Sequence, residues 1–412
     1  MKNIITIPFL FAIFITFLSC PCYSINKSND KINILNDQAS ELIRQKKYSE
    51  AMKLCEKIIS IDKYNSVALS YRGYIYTKNG EYELAFKDCE KAIKIDKNNK
   101  LAWYGLGVSL DYYEKYDQAI SKFNRAIEID SGWTWAYIGR GISYCNKKQY
   151  DIGMQDFSKA LELNPKEASA YANRGRGYYD IANYSESIKD YNKAIELDST
   201  NMDAYYGRGC SYLLSNDYEN ALTDFRKVIE ISPNYAPALM NIGYIYFYQG
   251  KFDSAIEILT KAVNINPKEP QSYFYRGLAY YNLNKFQSAI DDFSECIIID
   301  PKYYPAYSER GSCYLALNQQ IDNALNDYNQ AILLNQSSDN YNDRALAYLF
   351  KRNYNMAIID LKEAIKLDPK NYKAKRNLIL IYSIKYAWLI IIILILTGMF
   401  IYGKILMRRS QQ

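Results

Sequence analysis

YANRGRGYYDIANYSESIKDYNKAIELD, running from Tyr171 to Asp198, is the clearest version of one block that recurs ten times between Ile32 and about Asn371. Aligned on it, small residues share a column: Gly73, Gly107, Gly141, Gly175, Gly209, Gly243, Gly277 and Gly311, with Ala39 and Ala345 completing it. A second small column comprises Ala51, Ala85, Ala119, Gly153, Ser187, Ala221, Ala255, Ala289, Ala324 and Ala357. A fixed period of about thirty-four residues means stacked supersecondary units sharing one continuous core. Each unit reads as two helices. The first carries its glycine mid-helix, at a cost of about 1 kcal/mol against alanine, and close approach of two backbones is the expected compensation. The second begins near Ser185 and shows apolar residues at helical spacing. Pro165, Pro233, Pro267, Pro301 and Pro369 end it in five copies, each just after Asp, Asn or Ser. The expected fold is an all-α solenoid, an architecture that holds partners rather than transforming substrates.

The pattern resembles the tetratricopeptide repeat family. Small residues at the eighth and twentieth positions carry the resemblance, with the helix-ending proline and aromatics at the eleventh: Tyr76, Tyr144, Tyr178, Tyr212 and Tyr246. It implies a right-handed superhelix whose first helices line a concave groove for a peptide or a partner's helix. It also implies that the second, fifth, ninth and twelfth positions of the first helix face that groove. Here those positions are mostly aromatic and aliphatic, including Tyr104 and Ile138, with few charges: Asp111, Arg176 and Asp203. They are densest at Tyr206, Met240, Tyr244, Phe247, Phe274, Leu278 and Tyr281, the candidate partner-binding set. An apolar lining suits an amphipathic helix or an extended apolar segment. It departs from the lysine- and asparagine-rich clamp with which some family members hold chaperone carboxyl termini.

Two charged columns vary together. Arg72, Arg140, Arg174, Arg208, Arg276, Arg310 and Arg344 precede the small residue of the first helix. The same copies carry Asp88, Asp156, Asp190, Asp224, Asp292, Asp327 and Asp360 on the second. Copies with Gln38, Leu106 or Ile242 in place of arginine have Leu54, Lys122 or Ile258 in place of aspartate. Residues that change together in this way are expected to touch. These charges therefore read as structural ion pairs, because seven equivalent sites mark scaffolding rather than chemistry.

The 412 residues include no histidine, which removes histidine general bases and histidine-ligated metal sites. The glycines sit singly inside helices, so no phosphate-cradling loop forms. No enzyme activity, cofactor, metal or small-molecule substrate is expected. The formal charge is +6, but Lys2, Lys385, Lys404, Arg408 and Arg409 flank the two apolar ends. Without those five of the 51 basic residues, 46 stand against 45 acidic ones. A nearly neutral solenoid has no field to draw in nucleic acid. The cysteines form no CxxC pair and read as free thiols.

The ends point to a membrane. Residues 1–24 have the pattern of a signal peptide or amino-terminal anchor, and 25–31 read as a short linker to the repeats at 32–371. A capping helix is expected at 372–385, a transmembrane helix at 386–403 and a basic tail at 404–412. The uncharged run between Lys385 and Lys404 spans about 27 Å as a helix, close to a hydrocarbon core of about 30 Å. Tyr386, Trp388, Phe400 and Tyr402 would form its interfacial belts. The expected protein is a single-pass, membrane-anchored scaffold with extracytoplasmic repeats that binds protein partners. The alternative is a cytosol-facing, tail-anchored adaptor for chaperones or protein import.

Overall fold

A computed structural model describes residues 21–317 and 320–409, and every regular element among them is a helix. The amino-terminal apolar segment up to Cys20 lies outside the described residues. So do Asn318 and Gln319, which the sequence places in a lengthened turn of the ninth copy. The chain divides into two compact units at Asp217 and Tyr218, inside the sixth copy. In the first unit the helices run from Pro21–Arg44 to Met202–Leu214, and in the second from Tyr218–Ile231 to Tyr372–Arg409. Residues 25–31, read from sequence as a short linker, are helical and belong to Pro21–Arg44.

Local chemistry fixes the helix ends. Asn65, Asn99 and Asn201 cap first helices by accepting the backbone N–H three residues on. Second helices end on Asp or Asn in extended conformation, and these side chains fold back onto the backbone N–H two residues on. Asp62, Asp96, Asp130, Asn164 and Asp198 do so in the first unit, and Asn266, Asp300 and Asp368 in the second. The acidic or amide residue before Pro165, Pro267, Pro301 and Pro369 thus makes an Asx turn that starts the next copy. Between the two helices of a copy, one residue turns left-handed, for example Gly80 at φ 79° and Ala182 at φ 60°.

The core is a file of second-helix side chains. In the first unit these are Cys55, Cys89, Phe123, Phe157 and Tyr191; in the second they include Leu259, Phe293, Tyr328 and Leu361, all buried. The mid-helix glycines exist chiefly for these side chains. A Cβ on Gly107 or Gly139 would come within 2.7 or 2.5 Å of the Phe123 ring, so one phenyl is pinched between the first helices of two successive copies. Cys89 lies in the same way between Gly73 and Gly105. Backbone approach, the reason expected from sequence, is the lesser cause; its clearest case is Gly141, whose Cβ would meet the Gly153 carbonyl at 2.9 Å.

The last helix joins cap and apolar run. Ala374, Asn377 and Ile381 are buried against the tenth copy, where Asn377 donates to Asn342 at 2.9 Å. From Leu389 to Tyr402 nearly every large apolar side chain described is exposed. The helix bends by 58° between its Tyr372–Ala387 and Ile391–Lys404 parts. Among the described residues no single helix is long and apolar enough to cross a membrane; these two parts meet that test together, by length and composition.

Replacing a helical glycine by alanine ordinarily stabilises by up to about 1 kcal/mol. Gly139→Ala is expected to do the reverse, lowering stability by about 1–3 kcal/mol through collision with Phe123. Chemical denaturation checks this, and a variant as stable as the parent removes the pinched-ring account.

Candidate functional site

Six of the seven Arg–Asp sets lie wholly within a unit, and in all six the side chains meet. Arg72, Arg140 and Arg174 in the first unit, and Arg276, Arg310 and Arg344 in the second, each donate from Nε and Nη2 to both oxygens of the aspartate in the same copy. The contacts span 2.5–3.0 Å. The aspartates are buried and the arginines about four-fifths so. Such bidentate forks are the strong form of ion pair. The hydrogen bond donated to aspartate raises the pKa of Arg72, Arg140, Arg174 and Arg344. Arg208 belongs to the first unit and Asp224 to the second, and their pairing stays an inference from covariation.

Sequence reading missed the rest of each arginine's shell. The remaining Nη1 reaches back to the preceding copy: Arg140 to Asn124 at 2.6 Å, Arg174 to Ser158 at 3.1 Å, Arg208 to Asn192 at 2.6 Å and Arg276 to Thr260 at 3.1 Å. Arg310 and Arg344 reach Ser294 and Asn329 likewise. A short polar residue sixteen before the arginine (fifteen for Arg344) was the available signal. A tyrosine three residues before lies under most of these guanidiniums, as Tyr171 does under Arg174 at 5.7 Å. Arg140, Arg174, Arg276, Arg310 and Arg344 thus each staple two copies. The third and seventh copies lack the staple. Leu106 and Ile242 are buried there instead, and Ile242 and Ile258 line a hollow of 700 Å³ that Arg226, Glu230 and Lys261 also border.

The candidate partner-binding residues divide. Tyr206 belongs to the first unit and Met240, Tyr244, Phe247, Phe274, Leu278 and Tyr281 to the second. Phe274 is a correction: it is 8% exposed, with its ring 5.1 Å from Tyr303 and 5.8 Å from Phe293. Tyr104 and Ile138, at the same fifth position of their copies, are buried too. That position packs inward in these three copies, whereas Tyr206 and Met240 at the same position are half-buried. Tyr244, Phe247, Leu278 and Tyr281 are half-buried, and Tyr244 stands edge-on to Tyr275 at 4.9 Å. Met240 is half-buried against Leu259 and Ala279.

The charged positions behave differently. Asp111 accepts from Ser143 at 2.5 Å and Asn146 at 2.9 Å, a brace between copies. Arg176 and Asp203 line a cavity of 620 Å³ with Asn173, Asp180, Tyr191 and Tyr206. In the second unit Glu309 and Asp343 stand near one another with Tyr281, Cys313 and Tyr328 about them. Burial pushes the Glu309 carboxyl up to about 7, and the Asp343 charge adds to it. Asp343 is pushed up to about 6 by burial and by Asp339, against the pull of Asn342 and Lys373. The six described thiols are unbridged; burial raises Cys55 to about 12, and Cys145 and Cys210 to about 11, so none is an ionised nucleophile. Among the described residues no group of three or more His, Cys, Asp or Glu could hold a metal ion.

Comparison with known families agrees with the helix pairs. Tetratricopeptide repeat models match residues 66–99, 203–235, 270–303 and 338–371, and a TPR repeat model matches 175–215 and 243–284. Those segments are similar to tetratricopeptide repeats. No curated protein matches it. Among solved structures, the anaphase-promoting-complex heterotetramer Cut9–Hcn1 is similar at 15% identity and TM-score 0.47, over 86% of this chain and 97% of that one. Yeast Tom70 is similar at 15% identity and TM-score 0.40, over 87% and 96%. YrrB, described as a TPR protein with an unusual peptide-binding site, shares 25% identity over 45% of this chain and 95% of its own, with TM-score 0.37.

Two predictions follow from the paired groups. Arg174→Ala and Asp190→Ala each leave a buried charge without its partner, so the double variant is expected to lose less stability than the two losses added. The coupling is about 0.5–3 kcal/mol, and additivity in a double-mutant cycle contradicts the contact. For Glu309, the folded state favours the protonated carboxyl. That contribution is complete below the ordinary glutamate range and is lost as pH rises through 7. Glu309→Gln is therefore expected to melt about 3 °C above the parent at pH 8, as ~1 kcal/mol gives in a domain of this size, and level with it at pH 4. Calorimetry at both pH values decides.

Proposed function

We propose that the chain is a membrane-anchored scaffold that captures an apolar helix or extended segment of a protein partner, with its repeats on the extracytoplasmic side. The observation that carries the anchor is the exposed run from Leu389 to Tyr402, an apolar surface larger than water-soluble proteins leave uncovered. Lys404 beyond the run supplies the charge that the cytoplasmic side retains. Capture is assigned to the half-buried row Tyr244, Phe247, Leu278 and Tyr281, with Met240 at its edge, and to Tyr206 in the first unit. Aromatic side chains with one open face are the usual anchors of such contacts. Nucleic acid and small-molecule substrates have no place in this reading.

One observation favours the alternative orientation. Lys373, Lys375 and Arg376 are exposed on the repeat side of the apolar run, where positive charge marks a cytosolic face. The second reading is a cytosol-facing, tail-anchored adaptor for chaperones or import.

Sealed vesicles with the cytoplasmic face outward separate the two. Repeats that resist added protease until detergent is supplied support the first reading, and immediate digestion supports the second. Phe247→Ala with Tyr281→Ala is expected to abolish capture of a native partner by the full chain while melting almost unchanged. Phe274→Ala, in contrast, is expected to lose about 3–5 kcal/mol of stability, because it empties a core position.

A further inference from the structure

The cavity of 620 Å³ in the first unit lies between the first helices of the fifth and sixth copies, Ala168–Asp180 and Met202–Leu214. Its floor is a residue of the core file. Tyr191 is 5% exposed, yet it lines the cavity, and its hydroxyl has no hydrogen-bond partner among the described residues. The reason is Gly207: a Cβ there would sit on the Tyr191 ring and hydroxyl, so only glycine leaves the oxygen open. Related copies show that a hydroxyl at this place is neither required nor normally left alone. Phe123, Phe157 and Phe293 have none, and the hydroxyl of Tyr328 is paired with Ser312 at 3.1 Å. Burial holds the Tyr191 phenol protonated, so it stands as a donor.

Three charged groups share the cavity. Arg176 is exposed and has no ion pair or hydrogen bond among the described residues, unlike Arg174 two residues before it. Asp180 and Asp203 are exposed at the same rim, likewise without a salt bridge. The Arg176 charge is near enough to act on Asp180, but none of these groups makes a hydrogen bond or close ion pair within the described residues, and with the open donor they suit a ligand carrying both signs.

We propose that this cavity binds a partner peptide at an acidic residue followed by a basic one, the carboxylate accepting from Arg176 and the Tyr191 hydroxyl and the basic side chain meeting Asp180 and Asp203. The proposal rests on the scaffold reading and adds a second, polar foothold to its apolar row. The carboxylate end lies deepest, where hydrogen bonds to a charged group are strongest. Backbone on either side fits the remaining volume, which is of the size that ligand sites commonly have.

Tyr191→Phe isolates the hydroxyl with little hazard to folding, since phenylalanine already fills this place in other copies. The probes are two fluorescein-labelled peptides, Gly-Glu-Lys-Gly and Gly-Gln-Met-Gly, both amidated, titrated by anisotropy into the full chain in detergent. The Glu-Lys peptide is expected to bind the parent at least about tenfold more tightly than the uncharged one. Tyr191→Phe should weaken it by about tenfold, the scale of a hydrogen bond to a charged group, with unchanged melting temperature. Arg176→Gln should weaken it at least as much. Equal binding of the two peptides, or parent-like affinity in both variants, overturns the proposal. Phe247→Ala with Tyr281→Ala, which tests the apolar row, should leave tetrapeptide affinity intact, so either idea can fail while the other stands.

Discussion

A side chain pinched between two glycine-notched helices sets the geometry of this molecule. In seven copies the second helix sends one buried residue against the glycine of its own first helix and, in three of them, against a glycine of the next copy's first helix. Interior packing tolerates neither a void nor an extra methylene cheaply, so the size of that residue and the absence of a Cβ opposite it are one constraint. Where the residue is Cys89, a sulfur does what the Phe123 ring does one copy later. The repeat period is then the distance between successive notches, and helix lengths, Asx turns and left-handed connections all keep that spacing.

The arginine staples act on the outer side of the same interface. Apolar packing alone would let neighbouring copies slide, because it is not directional. A planar guanidinium held at both aspartate oxygens and reaching a third group on the preceding copy is directional. Charge in this solenoid is thus spent on register, which is why the repeats are close to neutral and why their regular charges offer no chemistry. Groups outside the pattern, such as Arg176, Asp203 and Glu309, are the ones left for recognition or for pH response.

Most of the fold was legible because each of its causes recurs. Ten copies turned the glycine column and the Arg–Asp covariation into near measurements of contact. The short polar column behind the arginines escaped because Asn, Ser and Thr alternate there, and the eye groups them less readily than a single residue type. Phe274 misled for a different reason. Position within a helix predicts which way a side chain starts, but burial depends on what the next copy puts against it, here Tyr303. The open hydroxyl of Tyr191 was beyond sequence reading altogether, since tyrosine in a column of phenylalanines looks like a conservative exchange until Gly207 is seen above it.

The copies without a staple have a consequence for how the chain comes apart. In a linear array, stability is a sum of terms within copies and between neighbours, so the weakest junction decides where a fluctuation opens. With Leu106 and Ile242 in place of arginine, the third and seventh copies lack an arginine of their own that reaches back to the copy before, and those junctions rest more on apolar contact. Opening at these points would divide the array into blocks of a few copies that persist as folded pieces, so the molecule unravels by segments rather than all at once.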